Sequence, residues 1–230
     1  MKFIGFYDYT VILTYISLAS SVLGMARAIQ GDYQFAIFCL AFSGICDAFD
    51  GRIARTKKNR TDDEKGFGIQ IDSLCDVVCF GVFPAMLCCH LGVQGALGTA
   101  ITIFYCLCAV IRLAFFNVLE SKRQQAEEGA NKTYRGLPVT SIAFVLPLVY
   151  WLQFIISASA FIVLIHATLL IVGFLFIFDF PMPKPNLKTI LAMAGILIVV
   201  VGAIFSYTRF HAPKDHQEIG PILAESVSDT

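Results

Sequence analysis

The sequence predicts an all-α, polytopic membrane helix bundle, and three observations carry that prediction. Hydrophobic residues make up 57% of the 230 and charged residues only 15%, with mean hydropathy +0.72. That lies outside the range of an ordinary soluble domain. The apolar residues fall in runs of about 20, the length that crosses a hydrocarbon core about 30 Å thick. The charges are segregated into the short stretches between those runs. Lys and Arg number 17, as do Asp and Glu. With no net charge, the chain lacks the basic signature of a nucleic-acid binder, and none is expected as a partner.

The elements follow in order. Met1–Asp8 is a short amphipathic lead. Thr10–Ile29 is the first span; Ala26-Arg27-Ala28 resembles a signal-peptidase site, but the run is too long for a signal core. Tyr33–Arg55 is the second span and Phe67–Leu91 the third, with a polar, basic loop between them. Gly92–Gly95 is a tight turn into the fourth span, Ala96–Val118. Leu119–Gly136 is polar. Leu137–Ile156 and Ala158–Phe178 are the fifth and sixth spans. Three prolines make Pro181–Asn186 a loop. Leu187–Tyr207 is a seventh run, and Arg209–Thr230 a polar tail. The organisation is a six-span core with one or more additional spans: a membrane domain over 1–180, an additional C-terminal span over 181–208, and the tail over 209–230. No internal repeat is visible.

Lys and Arg gather in the loops after the second, fourth and sixth spans, which the positive-inside rule assigns to the cytoplasm together with the N-terminus. Seven spans would leave Arg209 and Lys214 on the other side. That tension makes the six-span core the firmer part of the count. All eight cysteines lie in apolar runs, which favours buried, inert thiols over a disulfide framework.

The chemistry centres on 47–76. Asp47 and Asp50 close the second span; Asp72 and Asp76 sit inside the third. Spacings of three and four put each pair on one helix face. A carboxylate at the centre of a membrane helix costs roughly 2.5–3.5 kcal/mol, so four together need a counter-charge. The two spans are consecutive and antiparallel. Asp50 therefore meets Asp72 nearer the cytoplasm, and Asp47 meets Asp76 deeper. Facing carboxylates of this kind can hold two divalent cations about 3.5–4 Å apart, and oxygen ligands favour Mg²⁺ or Mn²⁺. Cys75 and Cys79 could instead serve a soft metal. The bland alternative is a set of structural ion pairs with Arg52, Arg55 or Arg112.

At these residues the chain resembles the CDP-alcohol phosphatidyltransferases. Their signature, D-x2-D-G-x2-A-R then G-x3-D-x3-D, is filled by Asp47, Asp50, Gly51, Ala54, Arg55, Gly68, Asp72 and Asp76. The gap from Arg55 to Gly68 is 12 residues (56–67), against about eight or nine in the family. The excess reads as an enlarged cytoplasmic loop. The stretch from Gly68 to Leu87, Arg112-L-A-F-F-Asn117 and Arg135-G-L-Pro138 are similar to the phosphatidylserine synthase branch. Phe115 stands where that branch commonly has a basic residue, and its usual first-span Asn is missing although Leu13-Thr14 is kept.

The resemblance implies transfer of a phosphatidyl group from CDP-diacylglycerol to L-serine, giving phosphatidylserine and CMP. It implies two cations, Mg²⁺ or Mn²⁺, on Asp47, Asp50, Asp72 and Asp76, with Asp76 also the general base on the serine hydroxyl. Thr14, Gly51, Ala54, Arg55, Gly68 and either Thr61 or Lys65 would meet the CDP-diacylglycerol. Arg112, Asn117 and Arg135 are the candidates for serine. Arg135 serves equally well as a positive-inside anchor, and Arg112 as a partner for an aspartate. His90 and His166, in apolar surroundings, read as structural. A homodimer in a bacterial inner membrane, with its active site on the cytoplasmic side, is the expected setting. The alternatives are the same chemistry on glycerol phosphate or inositol phosphate, which need more cationic groups, an ion-coupled transporter, which needs polar residues through the full depth, and a structural subunit.

Overall fold

The computed structural model describes residues 4–7, 9–54, 56–57, 59, 61–125, 133–183 and 186–211. A 3₁₀ turn, Tyr9–Val11, leads into α1 (Ile12–Ile29). After a turn through Gly31, the Asp32 carboxylate accepts from the Phe35 amide at 3.2 Å and caps α2 (Tyr33–Ala54). Next comes α3 (Asp62–Asp76), which passes through a π-turn, Val77–Val82, into α4 (Phe83–His90). The long α5 (Gly95–Gln125) follows. Then come β1 (Thr133–Arg135), a 3₁₀ turn at Val139–Ser141, α6 (Ile142–Leu152), α7 (Ala158–Ile177), β2 (Pro181–Pro183) and α8 (Leu187–His211).

The all-α membrane bundle of the sequence is the fold observed. Among the described residues, five helical stretches are long and apolar enough to cross a membrane: Tyr9–Ile29, Asp62–His90, Gly95–Lys122, Ala158–Ile177 and Leu187–Phe210. At 22 residues α2 is as long, but it carries Asp47, Asp50 and Arg52. The apolar stretch Val139–Leu152 is shorter. Its 14 positions rise about 21 Å, less than the hydrocarbon thickness. Pro138 delays its start and Pro147 lies within it.

Boundaries move for local reasons. The capping box at Thr61 starts α3 at Asp62, ahead of the expected Phe67. The Thr61 hydroxyl accepts from the Glu64 amide at 3.2 Å, and the Glu64 carboxylate accepts from the Thr61 amide at 2.9 Å. The expected loop is therefore half helix. The expected proline loop holds β2, which pairs antiparallel with β1 (Thr133 with Pro183, Arg135 with Pro181) and ties together the connections after α5 and α7.

Packing is tightest between α1 and α2. The inner face of α1 is Thr14, Ser17, Ser21, Gly24 and Ala28, all buried and small. In a bilayer, helices associate by close backbone approach and hydrogen bonds rather than by escape from water. Both are present here. A Cβ at Gly24 would stand 2.4 Å from the Phe83 ring and 2.7 Å from the Cys39 Cβ. The Ser43 hydroxyl donates to the Ser17 carbonyl at 2.9 Å and shares a 2.9 Å hydrogen bond with the Ser21 hydroxyl. The Ser20 hydroxyl donates to the Cys39 carbonyl at 3.1 Å. The α3–α4 helix packs against α1 on one side and α5 on the other, α7 lies on α5, and α6 and α8 lie on α2. A core of Phe80, Phe83, Leu87, Tyr105, Ile142, Leu146 and Ile165 fills the middle.

The C-terminal end of α8 meets the start of α2, where the Thr208 hydroxyl donates to the Gln34 side chain at 2.9 Å. At the same end Trp151 meets the Tyr207 ring edge-on and Phe154 meets it tilted. That end is opposite the aspartates, so α8 ends away from the basic loops. Residues 212–230 lie outside the described residues.

Candidate active site

The acids come together where α2 ends and α3 begins its buried course. Carboxylate oxygens of Asp47, Asp50 and Asp72 all lie within 4.8 Å of one another. Asp50 faces Asp72, and Asp47 faces Asp76. Asp50 and Asp76 are 8% and 9% exposed. Carboxylates so close repel one another, and burial adds to the cost at Asp50 and Asp76. Among the described residues no Lys or Arg forms an ion pair with any of the four.

The set fits a divalent cation. Opposed oxygens on Mg²⁺ sit about 4.2 Å apart, so three within 4.8 Å need only a slight closure. The donors are hard oxygens, the type that Mg²⁺ and Mn²⁺ take. The thiols beside them are differently engaged: all eight cysteines are free, Cys75 and Cys79 are buried, and the Ser17 hydroxyl stands 3.6 Å from the Cys79 sulfur.

The surrounding polar groups aim the acids. From α1 the Thr14 hydroxyl donates to Asp50 Oδ2 at 3.3 Å, which brings one nucleotide-contact candidate directly to a carboxylate. From α3 the Ser73 hydroxyl donates to Asn117 Oδ1 at 2.6 Å, so Asn117 stands beside the segment that carries Asp72. Its carbonyl oxygen is occupied by Ser73, and its amide is the group left to donate to a ligand. Gly51 is exposed at the end of α2, and Gly68 is half-buried in α3. Thr61 is exposed and caps α3, and the Lys65 ammonium pairs with Asp62 at 3.0 Å. Ala54 is the last residue of α2, and Arg55 lies outside the described residues.

Arg112 and Arg135 belong to a second cluster. Five positions apart on α5, Arg112 and Asn117 point about 140° from one another. Asn117 turns to α3 and Arg112 to α7. The Arg112 guanidinium donates to the carbonyls of Arg135 at 2.6 Å, Gly136 at 3.3 Å and Phe176 at 3.3 Å, and lies 4.2 Å over the Phe116 ring. Gly136 makes that docking possible. Its φ is +70°, and a Cβ there would stand 2.7 Å from the Phe178 carbonyl oxygen and 3.0 Å from the guanidinium. Arg135, the exposed neighbour, grips both oxygens of Asp179. That guanidinium holds the Asp179 carboxyl below the usual range. With Ile111, Phe115, Phe178 and Asp179, these two arginines line a cavity of about 370 Å³. The sequence expectation of Arg112 and Arg135 as serine contacts thus meets two guanidiniums already engaged, one with main-chain carbonyls and one with Asp179. The His166 Nδ1 donates to the Ile162 carbonyl at 2.7 Å, within its own helix.

Sequence reasoning missed the serine ladder of α1 and α2, although Ser17 and Ser21 stand one turn apart in an apolar run. It also missed Tyr105, whose single hydroxyl in a long apolar helix carries no pattern of its own.

Comparison with known proteins agrees with this geometry. The CDP-alcohol phosphatidyltransferase profile matches residues 9–176, from the turn before α1 to the end of α7. A Methanocaldococcus jannaschii protein named CDP-diacylglycerol–serine O-phosphatidyltransferase is 30% identical over 191 residues, 82% of each chain. The archaetidylserine synthase of Methanothermobacter thermautotrophicus is 29% identical over 173 residues, 75% of this chain and 70% of that one. A Saccharomyces cerevisiae protein, also named CDP-diacylglycerol–serine O-phosphatidyltransferase, is 33% identical over 150 residues, 64% of this chain but only half (50%) of the yeast protein's length. The matched stretch contains both aspartate pairs and every helix that touches them. On that match the chain is an integral membrane protein belonging to the CDP-alcohol phosphatidyltransferase family.

Proposed function

We propose that the chain transfers the phosphatidyl group of CDP-diacylglycerol to L-serine, giving phosphatidylserine and CMP. The observation that carries the reading is the quartet of acids, two buried and two half-buried, with oxygens of Asp47, Asp50 and Asp72 all within 4.8 Å of one another. The names of the relatives support serine as the acceptor.

Asp47, Asp50, Asp72 and Asp76 would hold two divalent cations, Mg²⁺ or Mn²⁺, which would supply positive charge for the phosphoanhydride and for the departing CMP. Thr14 fixes the rotamer of Asp50, and Ser73 fixes Asn117. Asp76, the deeper acid, takes the proton from the serine hydroxyl as its oxygen bonds to phosphorus and the phosphoanhydride bond to CMP breaks. Asn117, with its amide as the free donor, suits the serine carboxylate. Gly51, in the last turn of α2, and Arg55, the residue that follows that helix in the sequence, would meet the nucleotide phosphates. The acyl chains stay in the bilayer, and the polar substrates enter from the cytoplasmic side, where the basic loops gather. Residues 1–180 would form the catalytic domain, with the helix after it as an additional span. A homodimer is the expected assembly, and the inner membrane of a bacterium the expected location.

An ion-coupled transporter would need polar groups through the full depth. Beyond the acids lie Ser17, Ser21 and Ser43, which hydrogen-bond one another and the main chain.

The test is an acceptor panel. Purified protein receives CDP-diacylglycerol with serine, glycerol 3-phosphate or inositol phosphate, and CMP and lipid product are measured. The expected result is CMP with phosphatidylserine. CMP with another alcohol alone would move the acceptor. No CMP with any alcohol, with Mg²⁺ and Mn²⁺ both supplied, would end the reading.

A further inference from the structure

The helix that carries Asp72 and Asp76 does not continue as a regular α-helix. Immediately after Asp76 it widens into the π-turn Val77–Val82, in which the Phe83 amide reaches back five residues to the Val78 carbonyl. Such turns insert one extra residue and are common beside functional sites. In an unbroken α-helix Asp72, Asp76, Phe80 and Phe83 would lie along one face. With the π-turn, the acids face α2 while Phe83 fits against Gly24 of α1.

Two features of the sequence make the turn possible. Pro84 has no amide to return to the carbonyl of Phe80, four residues back. In the i, i+4 pattern that carbonyl therefore receives no backbone donor. Instead the Tyr105 hydroxyl of α5 donates to it at 2.6 Å, and the Cys106 thiol donates to the next carbonyl, Gly81, at 3.7 Å. Tyr105 is completely buried, its ring 5.4 Å from that of Phe176. A Cβ at Gly173 of α7 would stand 3.2 Å from the Tyr105 Cα. The tyrosine is thus clamped between α7 and the turn and cannot turn away.

We propose that Tyr105 is a positioning residue of the acid site: by holding the Phe80 carbonyl it keeps the π-turn open and so fixes the direction of Asp76 toward Asp47. The inference rests on the proposed metal-dependent function. The competing account is that the hydroxyl merely satisfies a buried carbonyl. The two accounts differ when Pro84 is replaced, because an alanine amide can supply the Phe80 carbonyl by closing the turn to a regular helix.

The full-length protein, purified in detergent, is tested as wild type, Tyr105→Phe and Tyr105→Phe/Pro84→Ala. Mn²⁺ affinity is read from the free-ion paramagnetic resonance signal, alongside the thermal midpoint and CMP release. Tyr105→Phe is expected to weaken Mn²⁺ binding and lower kcat, each about tenfold, as loss of an outer-shell partner does, with KM for serine within about twofold. The double variant is expected to recover the thermal midpoint but neither Mn²⁺ affinity nor kcat. Wild-type values in Tyr105→Phe, or recovery of all three properties together in the double variant, would overturn the inference alone. A wild type that neither binds Mn²⁺ nor releases CMP would overturn the functional reading, and this inference with it.

Discussion

Asp50 and Arg112 are charged, nearly buried at 8% and 6% exposure, and placed toward the end of the bundle where the basic loops gather. Their surroundings are opposite. Arg112 donates to three main-chain carbonyls and lies on an aromatic ring, so the protein itself supplies its partners. Asp50 is surrounded by other carboxylates, with the Thr14 hydroxyl and the Gly51 amide as donors. A buried charge with its own partners braces a fold; one held among like charges is a place where something must bind. The difference separates structure from function within one small region. It also makes the acid site the natural centre of the chemistry.

Removing a charge from each cluster should therefore have opposite consequences. The largest expected effect is on turnover. Asp76→Asn should lower CMP release at least about a thousandfold by removing the base and a metal neighbour. It should leave the metal-free thermal midpoint unchanged or higher, because one repulsive carboxylate is gone. A falling midpoint would mean that the acids brace the fold as Arg112 does.

Arg112→Ala should do the reverse. It leaves buried carbonyls without donors, at about 1–3 kcal/mol each, so thermal unfolding in detergent should shift downward by the equivalent of about 3 kcal/mol or more. An unchanged midpoint together with a raised KM for serine would move Arg112 from the brace to the substrate. Gly136→Ala should act on the same brace more weakly. A side chain at φ +70°, pressed against the Phe178 carbonyl and the Arg112 guanidinium, costs about 1–3 kcal/mol, read from the same melt.

The smallest effect belongs to the exposed Arg135–Asp179 pair. The Asp179 carboxyl is held below its usual range by that guanidinium. Its contribution is complete above the ordinary carboxylate pKa and is lost as pH falls through the depressed folded value. Hydrogen exchange of the β1 amides and of Met182, the single amide of β2, should quicken beyond the intrinsic rate only on that acidification, and in Asp179→Asn it should show no such dependence.

Much of this was legible in the residues. Apolar runs mark the spans because lipid demands length and composition, and the antiparallel order of two consecutive spans is enough to bring Asp50 to Asp72. Helix starts in charged stretches were less visible. α3 begins at Asp62 because Thr61 and Glu64 cap one another, a T-x-x-E pattern that hydropathy does not register. The late start of α6 follows from Pro138, and the strand at Pro181–Pro183 from a partner far away in the chain. The roles of Arg112 and Tyr105 depend on which carbonyls three other segments leave open, and that is settled only by tertiary packing.

The most direct test of the central claim, that the buried acids work through divalent cations, is CMP release from CDP-diacylglycerol and serine after exhaustive chelation. The account predicts no CMP in the chelated protein and full recovery on adding Mg²⁺ or Mn²⁺. Release that persists undiminished without divalent ions would contradict it.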